Sequence, residues 1–222
     1  MIFKNRSEAG RELAKRLTGY ANQPNVLVLG IPRGGVPVAF EIASRIHAPL
    51  DVFIVRKLGV PGREELAFGA IASSGVRFLD SEIVQEVGIS EFEMELIAAT
   101  EREELERRER AYRGGRGPLA IEGRTVILVD DGIATGSSIQ AAITALRRLK
   151  PSRLVVAAPV APLSTCRRLR SEIDDLVCLD TPASFYAIGE FYEDFSQVSD
   201  QIVTELLHKK AKEPAKDAIP ME

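Results

Sequence analysis

Five short apolar runs constrain this chain more than any other feature: VLVLG (26–30), DVFIV (51–55), TVILVD (125–130), RLVVAAPV (153–160) and DLVCLD (175–180). Each has the length of a strand and few polar side chains. A strand this uniformly apolar needs cover on both faces. Segments of helical period lie between the runs. VPVAFEIASRI (36–46) puts Val36, Ala39, Ala43 and Ile46 on one face, and SIQAAITALRRL (138–149) does the same with Ile139, Ala142, Ile143 and Leu146. Strands alternating with helices imply an α/β fold, a mostly parallel twisted sheet with helices on both faces. Ligands in such folds sit outside the carboxyl ends of the strands. That rule gathers three loops, 32–35, 56–57 and 130–138, on one edge of the molecule.

The remaining segments fit around this sheet. Residues 6–18, about 164–171 and 197–210 read as further helices. LGVPGREELAFGAIASSG (58–75) is glycine-rich and weakly periodic, so a flexible loop is expected there. Residues 90–112 read as a long inserted helix. Ser90 and Glu93 fit a capping box, and Glu103 with Arg107, Glu104 with Arg108 and Glu106 with Arg110 are i,i+4 pairs on a solvated face. KKAKEPAKDAIPME (209–222) reads as a disordered tail. No repeat or linker divides residues 1–208, which are expected to form a single domain.

Composition narrows the function classes. The net charge of −3 gives no polyelectrolyte signal for nucleic acid or an anionic membrane. Cys166 and Cys178 are not spaced as a redox pair and read as small core residues of a reducing compartment. The start has no signal-type apolar run, and LVVAAPVAPL (154–163) is too short for a bilayer, so a cytoplasmic protein is expected. His47 and His208 are the only histidines, which rules out histidine-based metal catalysis by supply.

The chemistry concentrates in VILVDDGIATGSS (126–138), where a buried strand runs into two aspartates and then a loop of small residues and hydroxyls. A turn explains one aspartate and the glycine. It does not explain two adjacent carboxylates, each costly to desolvate beside the other. The hydroxyl loop opens a helix, whose first amides are unpaired and whose end is positive, so 134–138 can cradle a phosphate. Asp130 and Asp131 need a different partner, such as ribose hydroxyls or a magnesium shell. A ribose 5-phosphate satisfies both halves.

These thirteen residues resemble the 5-phosphoribosyl 1-diphosphate (PRPP) signature of the type I phosphoribosyltransferases. The layout of most of residues 1–208 also resembles a less characterised branch of predicted transferases. The resemblance implies an enzyme that moves the phosphoribosyl group of PRPP to a nitrogenous base with release of pyrophosphate. It implies that Ala134, Thr135, Gly136, Ser137 and Ser138 hold the 5-phosphate. Asp130 and Asp131 would hold ribose and Mg2+, partly through water. GIPRGGVPVA (30–39) matches the family's pyrophosphate loop, with Arg33 as a charged fork and Gly34 and Gly35 allowing close approach. Arg56 and Lys57 match a basic position facing pyrophosphate, and residues 58–72 match a closing loop in which Arg63 is a candidate charge. Asp130, Asp131, Arg33 and Lys57 are thus the expected catalytic set. A homodimer is also implied.

One departure stands out. Family members acting on 6-oxopurines carry an aspartate where this chain has Ala134, which argues against a hypoxanthine- or guanine-type acceptor. The resemblance implies a small base-recognising hood at about 181–196, whose aromatic cluster at 185–195 could stack on a base, although core packing is the simpler reading for any one ring. The rival function is a regulator that senses PRPP or nucleotides without turnover. An aspartyl phosphatase fails, because Gly132 and Ile133 stand two residues after Asp130 and Asp131.

Overall fold

The computed structural model describes residues 1–213, without the side chains of residues 64 and 65. The strands are β1 (Val26–Gly30), β2 (Leu50–Val52), β3 (Val55–Val60), β4 (Arg63–Ala72), β5 (Val76–Leu79), β6 (Thr125–Val129), β7 (Arg153–Val160) and β8 (Asp175–Asp180). The helices are α1 (Arg6–Arg16), α2 (Gly35–Ile46), α3 (Ser81–Val87), α4 (Glu91–Arg113), α5 (Ser137–Arg148), α6 (Leu163–Leu169) and α7 (Asp200–Lys212). A five-stranded sheet in the order β2-β1-β6-β7-β8 is parallel throughout, and β3, β4 and β5 form a separate antiparallel sheet.

The expected α/β architecture is present, and side-chain alternation shows why. Val26, Val28, Ile127, Val129, Val155 and Ala157 enter one apolar layer, where Leu13 of α1, Ile42 of α2 and Leu207 of α7 meet them. Leu27, Leu29, Val126, Leu128, Leu154 and Val156 enter the other, against Ile139 and Ile143 of α5 and Leu169 of α6. Both faces are covered, so β1 and β6 are buried at every residue. Each buried Leu or Ile contributes about 1.5–3 kcal/mol. The packing therefore fixes the sheet and, with it, the edge where its strands end.

DVFIV (51–55) departs from expectation, because it is not one strand. β2 stops at Val52, and Val55 already belongs to β3. Between them the Phe53 amide donates to Gly30 O and the Ile54 amide to the Ser73 hydroxyl, which carries the chain from one sheet to the other. Nor is 58–75 a loop, since β3, β4 and a 3-10 turn at Ser73–Gly75 occupy it. Leu58, Val60, Phe68 and Ile71 are buried with Ala98 and Leu105 of α4, and this tertiary partner overrides weak local periodicity. α3, capped by the Asp80 carboxylate, is a helix that the sequence pattern missed.

The long charged helix is α4, with the expected reciprocal Ser90–Glu93 capping box. Glu104 accepts from Arg107 at 2.7 Å and Arg108 at 2.6 Å, and the two guanidiniums hold its carboxyl down to about 2. Arg107 thus pairs with Glu104 and not with Glu103. On the inward face Ala98, Leu105 and Tyr112 repeat at seven-residue spacing. The Tyr112 hydroxyl donates to Asp200 Oδ1 at 2.6 Å, joining α4 to α7.

Burial and the Asp200 carboxylate raise the Tyr112 phenol to about 12 from an unfolded value of 10.0. Its contribution is therefore complete below pH 10 and is lost as pH rises through 12. Tyr112→Phe should lower stability at pH 8 by about 1.5 kcal/mol, the low end for a bond to a charged acceptor, because Asp200 can still reach water. It should also flatten the alkaline loss of stability. Urea melts at pH 8 and pH 11 check both effects.

α7 continues to Lys212, so residues 209–212 of the expected tail are helical, and residues 214–222 lie outside the described residues. No helix among the described residues is long and apolar enough to cross a membrane.

Candidate active site

β6 delivers its last residue to the sheet edge, and residues 130–136 turn there into α5. Gly136 adopts φ 80°, a left-handed conformation open mainly to glycine, so the helix can start at Ser137. A cavity of about 150 Å³ opens at this turn, lined by all five residues 134–138, Asp130, Gly132 and Ile188 of the hood. The Thr135 and Ser137 hydroxyls are 3.2 Å apart. Among the described residues, no hydrogen bond satisfies the amides of Thr135, Gly136, Ser137 or Ser138. Free amides, hydroxyls and a positive helix end are the ingredients of an anion site.

The two aspartates take different surroundings. Asp130 lies at the cavity wall, and its Oδ1 accepts the Asp131 amide at 2.9 Å. Burial, followed by the neighbouring Asp131 charge, pushes the Asp130 carboxyl well above the ordinary carboxylate range. Asp131 turns instead toward the amino terminus. The Nε of Arg6 donates to its Oδ2 at 2.7 Å, with both side chains about 11% exposed. Arg6 also donates to Ser196 O and lies 3.9 Å above the Phe195 ring. The Tyr192 hydroxyl donates to Asp131 O at 2.6 Å.

The expected pyrophosphate loop faces the acidic pair. A methyl group on Gly34 would overlap the Asp131 carboxylate, and one on Gly35 would lie 2.6 Å from Val129 O. Glycine is required here for close approach of two loops. The Pro32–Arg33 peptide is cis. Arg33 is partly exposed and 3.9 Å from Asp200, the acceptor of Tyr112. The loop is thereby tied to the start of α7.

Arg56 and Lys57 sit elsewhere than a strand-end loop. They lie inside β3 and line a second cavity of about 570 Å³ between β3 and α4. No residue lines both cavities. Arg56 Nε donates to Glu101 of α4 at 2.5 Å. Arg63 is an exposed first residue of β4. The structure therefore brings together Asp130, Asp131, Gly34, Gly35 and 134–138, and leaves the two basic residues of β3 on the adjoining sheet.

The hood runs from β8 to α7 and is pinned by the amino terminus. Phe3 donates to Phe191 O and accepts from the Glu193 amide, and its ring packs 5.7 Å from that of Tyr192. Ile188 presses on Gly132, where a methyl group would strike its side chain. Phe185 stacks on Phe191, while Tyr186 is 86% exposed. Tyr192 and Phe195 thus serve packing, and Tyr186 projects into solvent. Cys166 is buried and Cys178 partly buried, both as free thiols.

Sequence reasoning missed Arg6, Asp200, Thr165 and Arg168. The last two donate to the carbonyls of Ala134 and Thr135 from α6. Nothing local marks them, because each acts across 31 residues or more.

A helix start with free amides, carboxylates at the preceding strand end and a facing glycine loop meet at one edge of an α/β fold, the arrangement of an anion-binding α/β protein. A family model described as a phosphoribosyl transferase domain matches residues 2–196, and the chain belongs to that family. It is 44% identical over 208 residues to a Mycobacterium tuberculosis protein named "Putative phosphoribosyl transferase", covering 94% of this chain and 47% of that protein. The chain thus spans about half the length of the curated relatives it matches so well. It also superimposes on the crystal structure of TT1426 from Thermus thermophilus with TM-score 0.84 and 40% identity, covering 94% and 99% of the two chains. The Bifunctional protein PyrR of Chloroflexus aurantiacus is 32% identical over 132 residues, 57% of this chain and 65% of that one.

Proposed function

We propose that this chain transfers the 5-phosphoribosyl group of PRPP to a ring nitrogen of a nitrogenous base and releases pyrophosphate. The observation that carries the reading is the cavity shared by Asp130 and residues 134–138, with Gly34 and Gly35 facing the acidic pair. The bond between C1 of the ribose and the pyrophosphate oxygen breaks, and its electron pair leaves with pyrophosphate. The base nitrogen forms the new bond to C1 from the opposite face, and its proton passes to solvent.

The chain contributes position and charge. The amides and hydroxyls of 134–138 hold the 5-phosphate. Asp130 and Asp131 accept ribose hydroxyls as positive character develops at C1. The backbone of 33–35 and the Arg33 guanidinium receive the leaving pyrophosphate. Arg56 and Lys57 would join only if β3 and its hairpin close over the substrate. Two carboxylates suit Mg2+, which usually takes one or two carboxylates and completes its shell with substrate phosphates and water. It would neutralise charge on the departing group. Ala134 leaves the loop without a carboxylate near the base, so acceptors outside the 6-oxopurines fit best. A homodimer in the cytoplasm belongs to the same reading.

The test is pyrophosphate release from PRPP and Mg2+ with a panel of purines, pyrimidines and nicotinate. Base-dependent release is expected. PRPP binding without release from any base would favour a sensing role, and no PRPP binding would overturn the reading.

A further inference from the structure

We propose that Thr165 and Arg168, on α6, are positioning residues that aim the phosphate cradle's amides by holding its carbonyls outward. The inference rests on the phosphoribosyl reading and adds residues outside the signature.

A trans peptide unit is planar, with its C=O and N–H pointing in opposite directions. The carbonyl of Ala134 therefore fixes the amide of Thr135, and the carbonyl of Thr135 fixes that of Gly136. The Thr165 hydroxyl donates to Ala134 O at 3.0 Å, and Arg168 Nη2 donates to Thr135 O at 2.5 Å. Neither side chain lines the cavity at 134–138, whereas the residues they hold do. Both lie against Gly136, where an added methyl group would be 2.9 Å from Arg168 Nη2 and 2.9 Å from Thr165 Cγ2. The carbonyls are thus drawn toward α6 and the two amides turned toward the cavity.

The two anchors differ in kind. Thr165 is buried, so its bond is fixed by packing. Arg168 is exposed and supplies the only cation that bonds a carbonyl of this turn among the described residues. A guanidinium on a carbonyl also polarises that peptide, and its amide becomes a better donor to an anion. The helix that follows β7 thereby serves a ligand bound at the turn from β6 into α5. Preorganised donors of this sort save the ordering cost at binding.

The measurement is calorimetric binding of ribose 5-phosphate and, separately, of magnesium pyrophosphate to Thr165→Val, Thr165→Ser, Arg168→Met and Arg168→Lys. Thr165→Val and Arg168→Met should each weaken ribose 5-phosphate about 2- to 12-fold, the range of one ordinary intramolecular hydrogen bond, with pyrophosphate affinity unchanged. Thr165→Ser should restore affinity, and Arg168→Lys should restore part of it. In turnover the KM for PRPP should rise with kcat nearly constant. Unchanged ribose 5-phosphate affinity overturns the proposal, as does an equal loss for both ligands, which marks general damage. Failure of the wild-type protein to bind ribose 5-phosphate overturns the phosphoribosyl reading as well, and so separates the two failures.

Discussion

Asp130→Asn is expected to lower kcat/KM for pyrophosphate release by about 10²–10³-fold, the cost of removing one transition-state contact in a preorganised site. It should do so without destabilising the protein at pH 8. Asp130 is the carboxylate that lines the cavity, and its proton affinity is raised by burial and by Asp131. A carboxyl whose folded value exceeds its unfolded one adds stability that is complete below the unfolded value. That stability is lost as pH rises through the folded value. Above both values the free protein holds an unfavourable charge, which a bound ligand would compensate. Asparagine keeps the shape and the acceptor for the Asp131 amide while removing that charge. Thermal melts of the two proteins at pH 5 and pH 8 should show a gain for the variant that is larger at pH 8. A variant that loses stability equally at both pH values would mean that Asp130 serves the fold and not the ligand.

The same residues show how far the amino-acid sequence reaches. VLVLG and RLVVAAPV map onto β1 and β7 without a shift, because a strand buried on both faces needs no context beyond its own apolar run, and DLVCLD maps as closely onto the partly buried edge strand β8. The strand–turn–helix geometry of 125–148 is legible for a similar reason, since the strand, small residues and helix start are contiguous. Legibility fails where a partner comes from far away. Leu58, Val60, Phe68 and Ile71 form strands because α4 covers them, and α4 itself reads locally as a solvated helix. DVFIV splits because Gly30 and Ser73 take the amides of Phe53 and Ile54. At the site, Asp130 and Asp131 are adjacent and look equivalent in the sequence. Arg6, 125 residues from Asp131, makes them different.

That pairing has a large energetic consequence, which a double-mutant cycle can isolate. Arg6→Met is expected to cost on the order of 3 kcal/mol, the typical effect of removing one partner from a buried ion pair. The reasons are geometric. Arg6 and Asp131 are both about 11% exposed, so water replaces the lost guanidinium poorly. Asp131 cannot swing away, because its carboxylate already abuts Gly34, and Tyr192 holds its backbone. The damage should spread to the hood, since Arg6 also binds Ser196 O and covers Phe195. Arg6→Met with Asp131→Asn removes both charges, so stability should return to within about 1 kcal/mol of wild type. Pyrophosphate release should remain at least about tenfold depressed in the double variant, because the carboxylate proposed to bind ribose is still missing. Denaturant melts and turnover on the same four proteins complete the cycle. A double variant that recovers stability and full turnover would confine Asp131 to anchoring the amino-terminal helix, leaving Asp130 as the single carboxylate at the ribose. One that recovers neither would mean that the Arg6 contacts to Ser196 and Phe195, and not its charge, hold the hood in place.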